Sequence, residues 1–177
     1  MASKIEIKLR LRDADQAHRL MSDEFFTRYM KDRFRERYTV GSFYDTADGE
    51  LAAANRTLRV RKINNINVAD LKEGFADQSG FFYGEQWLCQ FNGVETVLAD
   101  FEERGAPHIE ISSPLIQVRT FASTRHTVTL YMPDRVRMEL SFDVNDDNSA
   151  RMGLELLYGA GRELISYVDE LRREKQI

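Results

Sequence analysis

Charged and apolar residues alternate without a slip over residues 4–11, KIEIKLRL, with Lys4, Glu6, Lys8 and Arg10 at the even positions and Ile5, Ile7, Leu9 and Leu11 between them. Side chains of a strand point to opposite faces with period two, so the stretch is read as a strand with one buried face. Its other face is unusual. A wetted sheet carries Thr, Ser and Gln with some charge, whereas here four long charges of both signs stand in a row.

The pattern continues in both periods. Residues 13–32 predict a single helix, capped by Asp13 or Asp15, with Ala17, Leu20, Met21, Phe25, Phe26, Tyr29 and Met30 as its apolar stripe. Residues 34–46 predict an extended strand ending at Asp45-Thr46, followed by a loop and short turn. Residues 56–62 alternate Arg59 and Arg61 against Leu58 and Val60, and Asn64-Asn65 marks a hairpin into a strand over 66–74. Another strand is read at 81–88 and a helix over 94–103 on Val94, Val97, Leu98 and Phe101. Two strands separated by turn signals follow at 112–124 and 125–132. The longest alternation, 135–144, sets Arg135, Arg137, Glu139, Ser141 and Asp143 against Val136, Met138, Leu140 and Phe142. A short strand at 152–159 leads into a closing amphipathic helix on Leu164, Ile165, Val168 and Leu171. Many short alternating strands with a few helices predict an α+β chain: one domain over 1–177, a closed or strongly curled antiparallel sheet with helices outside.

Composition narrows the function classes. The 177 residues carry 25 basic and 29 acidic side chains, a net charge of −4 that speaks against a duplex nucleic-acid binder. A single cysteine, Cys89, leaves no internal disulfide framework and fits a reducing compartment. No apolar run approaches ~18 residues and the N-terminus is charged, so the expectation is a soluble cytoplasmic domain without a membrane partner. His18, His108 and His126 are scattered without Cys or Asp at zinc-ligand spacing, and no Gly-rich phosphate loop is present.

What remains is the set of charged strand faces. They offer Lys4, Lys8, Arg10, Arg59, Arg61, Lys72, Arg119 and Arg137 as cations, and Glu6, Glu85, Glu139, Asp143 and Glu155 as anions. Any antiparallel sheet with one wet face alternates, and charges of opposite sign at i, i+2 pair across strands, so periodicity alone also admits a solvated sheet. If the faces close inward, they line a polar lumen. Arg and Lys forks there would hold a polyanion such as a triphosphate, and grouped carboxylates would hold Mg2+ or Mn2+, which prefer oxygen ligands.

The order of short motifs resembles the CYTH, or triphosphate tunnel metalloenzyme, superfamily, which includes class IV adenylate cyclases, thiamine triphosphatases and inorganic triphosphatases. Lys4-Ile-Glu6-Ile-Lys8 resembles its opening Glu-x-Glu-x-Lys strand, Phe43-Tyr44-Asp45-Thr46 its aromatic strand ending in Asp-Thr, and Leu58-Arg59-Val60-Arg61 its Leu-Arg-x-Arg strand. Asp70-Leu71-Lys72 resembles Thr-Leu-Lys, Tyr83-Gly84-Glu85 Arg-x-Glu, and Gln117-Val118-Arg119 Lys-x-Arg. Glu139 to Asp143 and Gly153-Leu154-Glu155 stand where the family has its late carboxylates. The resemblance runs from about residue 4 to the end. It implies an eight-stranded antiparallel β-barrel, or tunnel, with flanking helices. It also implies a phosphate clamp of Lys8, Arg59, Arg61, Lys72, Arg119 and Arg137, and a Mg2+ or Mn2+ site on Glu6, Glu139, Asp143 and Glu155, with Glu6 and Lys8 nearest the chemistry.

Four family charges are replaced here, by Lys4, Tyr83, Gln117 and Gly153. Two of the losses are carboxylates, and Lys4 brings a cation toward the expected metal, which weakens its holding or substitutes for its charge. The expected function is therefore metal-dependent hydrolysis of a triphosphate or triphosphate-bearing metabolite. A polyphosphate or nucleotide binding module with little catalysis and a class IV-type adenylate cyclase stand as alternatives. The expected partner is the small-molecule triphosphate or polyphosphate, with a homodimer left open.

Overall fold

Eight strands form a closed antiparallel barrel in the order β1-β5-β4-β3-β2-β6-β7-β8 in the computed structural model, which describes residues 2–177. In chain order the elements are β1 (Ala2–Leu11), α1 (Ala14–Met21), α2 (Glu24–Thr27), β2 (Arg35–Asp45), α3 (Glu50–Ala53), β3 (Arg56–Ile63), β4 (Ile66–Ala76), β5 (Phe81–Gln90), α4 (Val97–Glu102), β6 (Ile116–Tyr131), β7 (Arg137–Asn145), β8 (Ala150–Tyr158) and α5 (Gly161–Lys175). This is the α+β barrel with flanking helices that the alternation predicts.

Three local readings change. The helix over 13–32 is two helices. Asp13 caps the first by accepting from the Gln16 amide at 2.8 Å, and Asp23 caps the second by accepting from the Phe25 amide at 2.8 Å. A second good N-cap restarts the helix inside one apolar stripe. The loop at 48–55 contains α3, whose start is fastened by Asp45. Its carboxylate accepts from the Thr46, Leu51 and Ala52 amides at 2.7, 2.8 and 3.1 Å. Finally, the two strands read at 112–124 and 125–132 are one 16-residue strand, β6. Ser123 and Thr124 lie inside it, where Thr is a good strand former and the ladder to β7 overrides the turn signal.

The chain's contacts divide into two compact units. The first comprises the opening of β1 up to Lys4, Thr39–Asp77 and Phe82–Ala122. Its core sits on one face of β3, β4 and β5, where Leu58, Val60, Ala69, Leu71, Trp87 and Cys89 pack with Leu51 of α3 and Val97 and Phe101 of α4. Arg56 lies on this face too, with its guanidinium bonded to Glu73 at 2.6 Å and to the Pro107 carbonyl. The second unit comprises Ile5–Tyr38, Gln78–Phe81 and Ser123–Ile177. Ile7, Leu9, Val128, Leu130, Met138, Leu140, Phe142, Met152 and Leu154 are buried in it, together with Leu20, Phe26, Leu164, Val168 and Leu171 of α1, α2 and α5. Tyr167 ties α5 to α2 by stacking on Phe25 at 4.7 Å and donating to its carbonyl at 2.8 Å. In each unit the helices cover the apolar face of the strands, which leaves the charged face as the barrel's inner one. Among the described residues no helix is long and apolar enough to cross a membrane, which says nothing of strands.

Candidate functional site: the charged faces

The second unit's charged face is built in three rows set by strand register. Directly opposed residues of an antiparallel pair share a face, with Cα atoms ~4.5–5.5 Å apart. In the first row Glu6 of β1 faces Glu155 of β8, Glu155 faces Glu139 of β7, and Glu139 faces Thr129 of β6. In the second, Lys8 faces Gly153, Gly153 faces Ser141, and Ser141 faces Thr127. In the third, Arg10 faces Arg151, Arg151 faces Asp143, and Asp143 faces Arg125. Moving two residues along a strand advances ~7 Å. Over two such steps the face passes from three carboxylates, through one ammonium, to three guanidiniums around one carboxylate.

Gly153 explains how the middle row closes. A Cβ placed on it would lie 2.6 Å from Ser141 Oγ and 2.8 Å from Lys8 Nζ. The ammonium of Lys8 therefore lies over the glycine, in volume that any side chain at 153 would take. Glycine at 153 is thus matched to the placement of Lys8.

The third row is anchored by Arg125 and Asp143. Arg125 Nε donates to Asp143 Oδ1 at 2.6 Å and Nη2 to Oδ2 at 2.8 Å, the two-pronged geometry of a strong guanidinium–carboxylate pair. Burial pushes the Asp143 pKa up, but the Arg125 hydrogen bonds and charge, with Lys8 and Arg151 nearby, outweigh it and hold the carboxyl below its usual range. Burial likewise works against the Arg125 charge. The carboxylates of Asp143, Glu139 and Glu6 outweigh it and raise its pKa.

The first unit's charged face is cationic around a single acid. Asp70, 2% exposed, accepts from Arg59 Nε at 2.9 Å, and the same oxygen lies 3.3 Å from Arg61 Nε. Arg59 faces Phe43 of β2, and the Arg119 guanidinium lies 4.3 Å from the Phe43 ring centre. Phe121 packs against Phe43 with ring centres 5.5 Å apart. Lys72 faces Thr57 and Gln86, with its ammonium 5.7 Å from the Phe82 ring centre.

Most residues singled out from the sequence share these faces. Glu6, Lys8, Glu139, Asp143 and Glu155 come together in the second unit, and Arg59, Arg61, Lys72 and Arg119 line the first. Arg137 lies at the edge, over the Tyr131 ring at 4.6 Å and donating to the Val136 carbonyl at 2.9 Å. Asp143 stands two rows from the acidic one, with both oxygens on Arg125. Gln117 bonds Ser42 at 3.0 Å. Glu85 is a correction. It faces Glu73, on the same side of β5 as Trp87 and Cys89, because those buried apolar side chains fix the strand's phase. Tyr83 shares that side and stacks on Phe75, so Gln86 and not Glu85 joins Lys72 on the charged face.

Arg125, Arg151 and Asp70 escaped the sequence reading. Arg125 has the parity of Arg119, a signal hidden when β6 is cut in two. Arg151 precedes Met152, where β8 was taken to begin, and Asp70 was read only as a stand-in for Thr. For a divalent cation the first row has the right donors, hard carboxylate oxygens from three neighbouring strands. Among the described residues no group of three or more His, Cys, Asp or Glu side chains is gathered as a metal site.

Solved structures share the antiparallel eight-stranded barrel with helices outside. The chain is similar to HpAC1 from Hippeastrum, a candidate adenylyl cyclase described as having a dominant triphosphatase activity, at a TM-score of 0.61 and 20% identity over 98% of this chain and 88% of that one. It is similar to a proposed adenylate cyclase from Bacillus halodurans, with a TM-score of 0.58 and 16% identity over 98% and 90%. It is also similar to the PH1012 protein of Pyrococcus horikoshii, with a TM-score of 0.56 and 17% identity over 96% and 88%. At these identities the likeness is one of fold, and the CYTH resemblance read from the sequence holds at that level. No family model matches the chain, and no curated protein does.

Proposed function

We propose that the chain is a divalent-metal-dependent phosphohydrolase acting on a linear triphosphate or a triphosphate-bearing metabolite. The observation that carries this reading is the graded face of the second unit, where an acidic row, a lysine over a glycine and an arginine row follow in register. A polyanion and a divalent cation want opposite ends of such a gradient.

In this reading Glu6, Glu139 and Glu155 would hold Mg2+ or Mn2+, which would supply charge neutralisation of the phosphates and polarisation of a phosphoryl oxygen. In the second unit Lys8 and Arg125 hold phosphoryl oxygens and stabilise charge on the leaving phosphate, and in the first unit Arg59, Arg61, Lys72 and Arg119 are cations of the kind that bind phosphate. Asp143 fixes Arg125 and does not join the metal's ligands. A carboxylate of the acidic row orients the attacking water. The water's oxygen bonds to the terminal phosphorus as its proton passes to that carboxylate, the bridging P–O bond breaks, and orthophosphate leaves together with the remaining diphosphate, which is pyrophosphate when the substrate is tripolyphosphate.

The test is phosphate release from tripolyphosphate with Mg2+ and with Mn2+, run beside Glu155→Gln and a chelator. Metal-dependent release that falls by at least ~100-fold in the variant supports the reading. Release indifferent to both contradicts it. A second reading, a polyphosphate-binding module, is favoured by the engagement of Asp143 with Arg125 and by the ungathered acids. Metal-independent binding without turnover would select it.

A further inference from the structure

Arg10 and Arg151 stand directly opposite each other on β1 and β8, at the end of the second unit's charged face away from the acidic row. Like charges opposed across two strands destabilise a sheet. Their own row offers no relief. Its one carboxylate, Asp143, has both oxygens on Arg125, and among the described residues neither Arg10 nor Arg151 makes a hydrogen bond or ion pair. Arg151 faces Asp143 on its other side, near enough for its charge to help hold that carboxyl ionised. Burial changes along the same face. Glu6 and Asp143 are 5% and 4% exposed, whereas the side chains of Arg10 and Arg151 reach water. Two repelling guanidiniums with unused donor forks serve the fold poorly and suit an anion well.

We propose that Arg10 and Arg151 form a further phosphate subsite, which takes the continuation of a linear polyphosphate chain longer than three phosphates. An anion between the opposed guanidiniums offsets their repulsion and accepts charge-assisted hydrogen bonds from both. Because both side chains are exposed, the subsite sets no upper limit on chain length. The inference rests on the triphosphate reading for the direction of the chain: its terminal phosphate lies toward the acids, Lys8 and Arg125 hold the phosphates behind it, and the remainder leads out past the two arginines.

The test compares tripolyphosphate with linear tetraphosphate and with size-fractionated longer polyphosphate, by calorimetric titration of the whole protein. Wild-type protein should bind the longest chains at least ~10-fold more tightly than tripolyphosphate, the scale of added charge-assisted hydrogen bonds. Arg10→Gln and Arg151→Gln should each remove most of that ratio. Arg151→Glu, which gives Arg10 a cross-strand partner of opposite charge, should remove all of it.

Thermal melts without ligand supply a second readout. Relief of a repulsive pair predicts that both Gln variants melt no lower than wild type at low salt and that Arg151→Glu melts higher. Lower melting in all three variants would mean that the pair serves the fold, and overturns the proposal. Equal wild-type affinity for short and long chains, or a ratio that the variants leave unchanged, also overturns it while the triphosphate reading stands. A length preference that needs both arginines, in a protein that releases no phosphate, upholds the subsite and removes hydrolysis. Binding of neither chain ends both.

Discussion

Gly153 matters for what its missing side chain permits. Lys8 Nζ and Ser141 Oγ come within 2.8 and 2.6 Å of where its Cβ would stand. Gly153→Ala is therefore expected to displace the ammonium, at little cost in stability because the crowded atoms are the ends of side chains. Tripolyphosphate affinity should fall with it, by ~10-fold, since a phosphate contact moves. A denaturant melt and a titration on the same preparation check both, and an unchanged affinity would remove Lys8 from the clamp. Single residues were legible where a motif named them, as for Glu6, Lys8, Arg59, Arg61 and Glu155. They were not legible where the role depends on a partner across the sheet. Arg125 and Asp143 are 18 positions apart, and only register makes them a pair. Asp70 looked like a lost threonine until Arg59 was seen opposite it.

At the scale of elements, the alternation recovered the strands because one face of each is buried and a slip of one residue would invert it. The same rule accounts for the failure at Glu85: the motif was matched in sequence, but Trp87 and Cys89 set the phase of β5. The division of β6 failed for a different reason. Ser and Thr are ambiguous between turn and strand, and the partner strand decides. The Asn64-Asn65 turn was legible from its residues alone, and both adopt the left-handed conformation, φ 49° and 65°, that a tight hairpin demands.

The Arg125–Asp143 pair cross-links β6 to β7 and carries a pH signature. The Asp143 pKa is lowered in the fold, so the unfolded chain binds more protons in acid, and the stability this provides is present above about pH 4 and lost as pH falls through the depressed value. Urea melts from pH 6 to 2.5 should show an acid limb that Asp143→Asn flattens. An equal limb in the variant would deny the pair that role.

For the whole molecule, the net charge of −4 argues against a polyanion ligand if it is read as a single number. The fold answers by sorting charge. Arg59, Arg61, Lys72 and Arg119 share one face around a single buried acid, and the second unit grades from acidic to basic over two register steps. Composition carries no trace of that sorting, and only the phase of each strand does. The most direct test is a calorimetric titration of tripolyphosphate into the wild-type protein at low and high salt, with thermal melts beside it. The account predicts one saturable site, affinity that falls as salt rises, and folded-state stabilisation of about 2.7 kcal/mol at one hundred times the dissociation constant. No heat and no shift in the melt at millimolar tripolyphosphate would contradict it.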